Sequence, residues 1–143
     1  MTTTTLRTRA GGGRIALAAL VAAVLTSAVD AAIAVIAVAA GVPQTMQLMP
    51  ATPVSLSVLA SIFGAIGWTL IDRRAKQPRR VIRVLAPILL VVSFVPDAIL
   101  AAATVDATGL APVLTLASMH VTTIAIAIAV FARLIPLKRS STP

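Results

Sequence analysis

Four aspartates and one histidine, with no glutamate and no cysteine, are almost all the acid–base chemistry this sequence has besides its lysines and arginines. The missing cysteine removes disulfides, thiolate metal sites and thiol nucleophiles together. Asp30, Asp97 and His120 stand inside long apolar runs, while Asp72 and Asp106 fall where those runs end. One His and two Asp are enough to ligate a metal in principle, but nothing in their spacing marks a metal site, and none is expected. A His–Asp pair implies acyl transfer only with a nucleophile beside it, and no serine here sits in a strained elbow motif. There is no glycine-rich phosphate loop. The reading is therefore not an enzyme, with no cofactor. The chemistry that remains is a polar group in apolar surroundings that binds a proton, a cation or a small polar molecule.

The elements that must position these residues follow from composition. The chain has 143 residues, of which 59% are hydrophobic and 11% charged, and its mean hydropathy is +1.03. Soluble domains carry about 25% charged residues, so a water-soluble globule is excluded, and so is disorder, whose signature is low hydrophobicity. A membrane-spanning helix needs about 20 mostly apolar residues. Four runs qualify, at 15–40, 53–71, 84–104 and 112–132. The expected fold is all-α: an integral membrane four-helix transmembrane bundle spanning 15–136, with a basic tail over 1–14 and a short tail over 137–143. Pro87 is expected in the first turn of the third helix, leaving Pro96 as the one proline inside a span.

All twelve basic residues fall on one side of this arrangement. Arg7, Arg9 and Arg14 precede the first run, and Arg133, Lys138 and Arg139 follow the last. Arg73, Arg74, Lys76, Arg79, Arg80 and Arg83 lie between the second and third, whereas 41–52 and 105–111 carry none. By the positive-inside rule both termini are cytoplasmic, and the plasma membrane is the expected location. A cleaved signal peptide ending near Thr26-Ser27-Ala28 is the rival for the N-terminus. The apolar run continues about a dozen residues further, and cleavage would spoil the charge split. The six central basic residues point to anionic lipid head groups as partners and not to nucleic acid, although orientation alone would also explain them.

Depth ties the ionisable residues together. Asp30 lies 16 residues beyond Arg14, Asp97 lies 14 beyond Arg83, and His120 lies 13 before Arg133. At about 1.5 Å per residue all three sit roughly 20–24 Å from the basic side, with Ser57, Ser61 and Ser93 near the same level. The expectation is that Asp30, Asp97 and His120 face one another as one group able to hold a proton or a ligand. The competing reading is a hydrogen-bonded cluster that only fixes helix packing. Trp68 is expected as an anchor at the membrane interface, and Asp72 as a solvated ion pair with Arg73 and Arg74. Ala60, Gly64 and Gly67 form a small-residue face for close approach within the bundle or between protomers.

Asp30 in an Ala/Val-rich first helix, Ser93-Phe94-Val95-Pro96-Asp97 in the third and Met119-His120 in the fourth resemble an uncharacterised family of small four-helix membrane proteins. It is a domain of unknown function found mostly in high-GC Gram-positive bacteria, and the resemblance runs from about residue 14 to 136. It implies a class and a location but no activity. Function is therefore read from the buried Asp/His layer: a small ion- or proton-coupled transporter. The alternative is an accessory or assembly subunit of a larger membrane complex, and a homo-oligomer also fits the small-residue faces. Small multidrug carriers also have four helices and an acid in the first, but they are shorter and richer in aromatics than this chain, which has one Trp and no Tyr.

Overall fold

Small and hydroxyl residues recur at every fourth position along the first two helices, and this spacing decides how the bundle closes. In the computed structural model, which describes residues 11–43 and 51–138 apart from the side chains of 100 and 104–108, α1 runs over Gly12–Ala39 and α2 over Ala51–Arg74. The buried stripe of α1 includes Ala18, Ala22, Thr26, Asp30 and Ala34. That of α2 is Pro53, Ser57, Ser61, Ala65 and Trp68. Residues four apart stack on one helix face, and small ones there let two backbones approach closely. α1 is the centre of the fold, packed against both α2 and α5 (Ala111–Leu134).

What is buried and what is exposed are inverted relative to a soluble protein. The least exposed residues are small or polar, whereas Leu20, Ile36, Phe63, Val91 and Ile99 are between 61% and 68% exposed. Lipid solvates such a surface and water does not. Four stretches are long and apolar enough to cross a membrane: Gly12–Ala39, Ala51–Arg74, Pro78–Ala103 and Ala111–Leu134. Among the described residues there is no strand. This is a multi-pass membrane protein.

The third span departs from the single helix expected over 84–104. It begins at Pro78 and is two helices, α3 (Pro78–Ser93) and α4 (Val95–Thr108). Phe94 forms a tight turn between them, its N–H bonded to Val91 O at 3.2 Å. The cause is Pro96, which has no N–H to give and whose ring collides with the carbonyl one turn back. Pro87 lies well inside α3, not in its first turn, and leaves it continuous. This span is only lightly attached: Pro78 is the sole buried residue of α3.

The basic end of the bundle is knitted by backbone carbonyls and amides. Arg14 Nη2 donates to Leu134 O at 2.9 Å, and Trp68 Nε1 donates to Ile135 O at 2.8 Å. Trp68 is thus buried at 7% exposure against Phe131, with ring centroids 5.7 Å apart, and is not a surface anchor. Asp72 accepts the backbone N–H of Lys138 at 2.8 Å and makes no ion pair with Arg73 or Arg74. Ile135 and Leu137 are buried, so the packed unit continues through the start of what was expected to be a tail. At the other end Gly41, at φ +90°, closes α1: its N–H bonds Val38 O and that of Val42 bonds Ala37 O, a glycine-terminated cap.

Candidate functional site

Two polar centres occupy the expected layer, not one. The first is built by α1, α2 and α5 around Asp30, which is 2% exposed. The Ser57 hydroxyl donates to Oδ2, Thr123 Oγ1 donates to Oδ2 at 2.8 Å, and Thr122 Oγ1 to Oδ1 at 3.4 Å. One turn toward the basic end, Thr26 Oγ1 and Ser61 Oγ meet at 3.5 Å, both fully or almost fully buried. The fourfold stripes of α1 and α2 put these pairs opposite each other, because Asp30 follows Thr26 by four and Ser57 precedes Ser61 by four.

The second centre lies where the third span breaks. His120 Nε2 sits 3.3 Å from Asp97 Oδ2, without hydrogen-bond geometry. Asp97 is in the first turn of α4, where the positive end of the helix dipole favours a carboxylate. Its side chain is 9% exposed and that of His120 is 35% exposed. The ring of Phe94, the turn residue, meets the imidazole edge-on with centroids 6.0 Å apart. Phe94 and Asp97, three residues apart and so on one face, both meet the same side chain of α5.

Among the described residues no hydrogen bond or ion pair joins the two centres, so Asp30 does not share the Asp97–His120 pair. They are neighbours along α5 only, since Thr123 follows His120 by one helical turn. Ser93, expected in the layer, donates to Leu90 O at 2.7 Å and hydrogen-bonds neither aspartate. Thr122 and Thr123, hydroxyls expected beside His120 in this layer, serve Asp30 instead. Their signal was the polar run Ser118 to Thr123 in an otherwise apolar helix.

Between α2, α3 and α5 lies a groove of about 520 Å³. Its walls are apolar, including Phe63, Trp68, Ile82, Leu89 and Ile128, and its polar groups are Ser93, His120 and Thr123. Sites for small molecules are typically ~300–1,000 Å³, mostly apolar with a few polar groups. Gly64 forms part of this wall because a Cβ there would lie 3.0 Å from Phe131 Cε2. No three His, Asp, Glu or Cys come together among the described residues.

The six basic residues Arg73, Arg74, Lys76, Arg79, Arg80 and Arg83 are all exposed. They form no loop of their own. Arg79, Arg80 and Arg83 occupy the first two turns of α3, where the helix dipole disfavours positive charge.

The chain belongs to a family of unknown function, DUF6069, whose model matches residues 10–136. No curated protein and no solved structure matches it.

Proposed function

Starting from membership of that family, which brings no activity with it, we propose that the protein is a proton-coupled carrier of a small amphiphilic molecule. The observation that carries this reading is the broken third span, which sets Asp97 against His120 beside the polar lining of an apolar groove. Histidine is the side chain best suited to gain and lose a proton near neutral pH. Interrupted helices at mid-membrane are where secondary transporters bind substrates and ions. The pair holds the proton, the groove holds the apolar body of the substrate, and the light attachment of α3 lets the groove open. The protein acts as no enzyme and binds no nucleic acid.

We place the protein in the plasma membrane of a bacterium with both termini cytoplasmic. In support, all nine described basic residues lie at one end of the bundle. The charges on the early turns of α3, unfavourable to the helix itself, serve orientation and contact with anionic lipid.

The carrier reading is tested in proteoliposomes loaded with the pH dye pyranine under an imposed pH gradient. The probes are single-chain C8–C12 alcohols, amines and carboxylates, added one at a time. Wild-type protein moves protons on addition of at least one probe, while His120→Gln matches empty liposomes. Equal traces for wild type, variant and empty liposomes with every probe would defeat it. The second reading, an accessory subunit, is favoured by the same loosely held α3, whose open groove also suits a partner's helix. A co-purifying protein in native mass spectrometry, lost when Leu89 is replaced by a bulky Trp, would support that reading over transport.

A further inference from the structure

We propose that Asp30, Ser57, Thr122 and Thr123 form a binding site for a sodium-sized monovalent cation, separate from the Asp97–His120 pair. The first ground is charge. Asp30 is 2% exposed inside a membrane-spanning helix, and its partners are three hydroxyls. Among the described residues no Lys, Arg or His contacts it. An uncompensated carboxylate at this depth costs at least several kcal/mol, and hydroxyl dipoles do not cancel a full charge. One positive charge makes the site neutral, whereas a divalent ion would leave it charged again.

The second ground is the donor set. Three hydroxyl oxygens from α2 and α5 lie within hydrogen-bond reach of the two carboxylate oxygens of α1, all of them hard oxygen ligands. The third ground is the behaviour of those hydroxyls. Several helix hydroxyls in this chain bond back to their own carbonyls, among them Ser55 to Ala51 O, Thr69 to Ala65 O and Thr115 to Ala111 O. Ser57 and Thr123 are turned to Asp30 instead. Thr122 is held in between, within reach of Asp30 and also of Ser118 O and Met119 O, each at 3.0 Å. Each hydroxyl has one hydrogen and two lone pairs. When a cation enters, the Thr122 hydrogen swings to Ser118 O or Met119 O and the hydroxyl lone pairs face the ion. The cage can thus change from donor to ligand without moving a helix.

A cation held by three helices must stabilise the bundle. The test is thermal unfolding of the purified protein in detergent, followed by helical circular dichroism at fixed pH and fixed ionic strength, in mixtures of sodium, potassium and choline chloride. Sodium raises Tm saturably, on the order of 5–10 °C at about a hundredfold above Kd, with potassium less effective. Asp30→Asn removes the dependence, and Thr122→Val lowers the apparent sodium affinity severalfold. Equal Tm values in sodium and choline overturn the proposal, as does a sodium effect that survives Asp30→Asn. If Asp30→Asn does not fold, Ser57→Ala and Thr123→Val take its place, and unchanged sodium affinity in both is then the overturning result. Stabilisation by acid alone, equal in all three salts, identifies the counter-charge as a proton and also overturns the assignment. None of these results depends on His120, so failure here leaves the carrier reading standing.

Discussion

At the scale of single residues, the separation of Asp30 from Asp97 and His120 has an energetic consequence. Asp97 Oδ2 is buried and has no hydrogen bond, and His120 is its one ion-pair partner among the described residues. Truncating His120 to Ala removes the ion-pair partner of that carboxylate and destabilises by roughly 1–3 kcal/mol, less than for a fully buried pair because His120 is 35% exposed. Asp97→Asn combined with His120→Ala recovers part of the loss, because a neutral amide is cheaper to leave unpaired than a charge. In thermal unfolding the 97/120 pair is accordingly non-additive, whereas Asp30→Asn with His120→Ala adds within about 0.5 kcal/mol. Additivity in the first pair, or strong coupling in the second, would mean that the centres are wired differently. The sequence made the depth of these three residues legible, because residue counts from a charged boundary translate directly into height. It did not make legible which of them pair, because that is decided by contacts between helices distant in the chain.

At the scale of helices, Pro87 and Pro96 look alike in the sequence, and only the second breaks the span. Replacing Pro96 by Ala restores the missing donor and removes the clash worth ~3 kcal/mol in a helix interior. α3 and α4 then join, the kink that sets the approach of Asp97 to His120 straightens, and proton coupling falls while thermal stability is kept or raised. Hydrogen exchange reads the healing as slower exchange of the amides from Phe94 to Ala98. Unchanged exchange with unchanged coupling would show that the break does not position Asp97. The groove wall makes a second test. Gly64 admits Phe131, which is itself pinned by Trp68. Gly64→Val overfills the contact and destabilises by about 1–3 kcal/mol, and Phe131→Leu in the same chain restores part of the loss. The four spans were legible because long apolar runs and charges mark them without reference to one another. Trp68 was misplaced as an interface anchor because its burial depends on Ile135 and Leu137 folding back over it, a contact between distant segments.

At the scale of the whole molecule, the asymmetry of charge becomes a statement about which way the protein sits. Arg14, Arg133 and Lys138 share one end with the six residues from Arg73 to Arg83, and short links rich in Lys and Arg stay cytoplasmic. The chain has no cysteine, so single substitutions report without background. Gln77 lies between α2 and α3 and Leu110 immediately before α5, at opposite ends of the bundle, and both are exposed. In intact cells an impermeant maleimide labels Leu110→Cys and spares Gln77→Cys until the membrane is opened. If the charges also hold lipid, each contributing about 1 kcal/mol near an anionic surface, the protein retains phosphatidylglycerol or cardiolipin through purification. Replacing Arg79, Arg80 and Arg83 by Gln then lowers that retention, because these exposed charges on the first turns of α3 have no ion-pair partner among the described residues to keep them occupied. The two readouts separate the roles of the cluster. Lost lipid with unchanged labelling assigns these three residues to head-group binding, and unchanged lipid with mixed labelling assigns them to orientation. The reverse labelling of wild type, Gln77→Cys reactive and Leu110→Cys silent, would invert the protein in the membrane and put the C-terminal end of α5 outside.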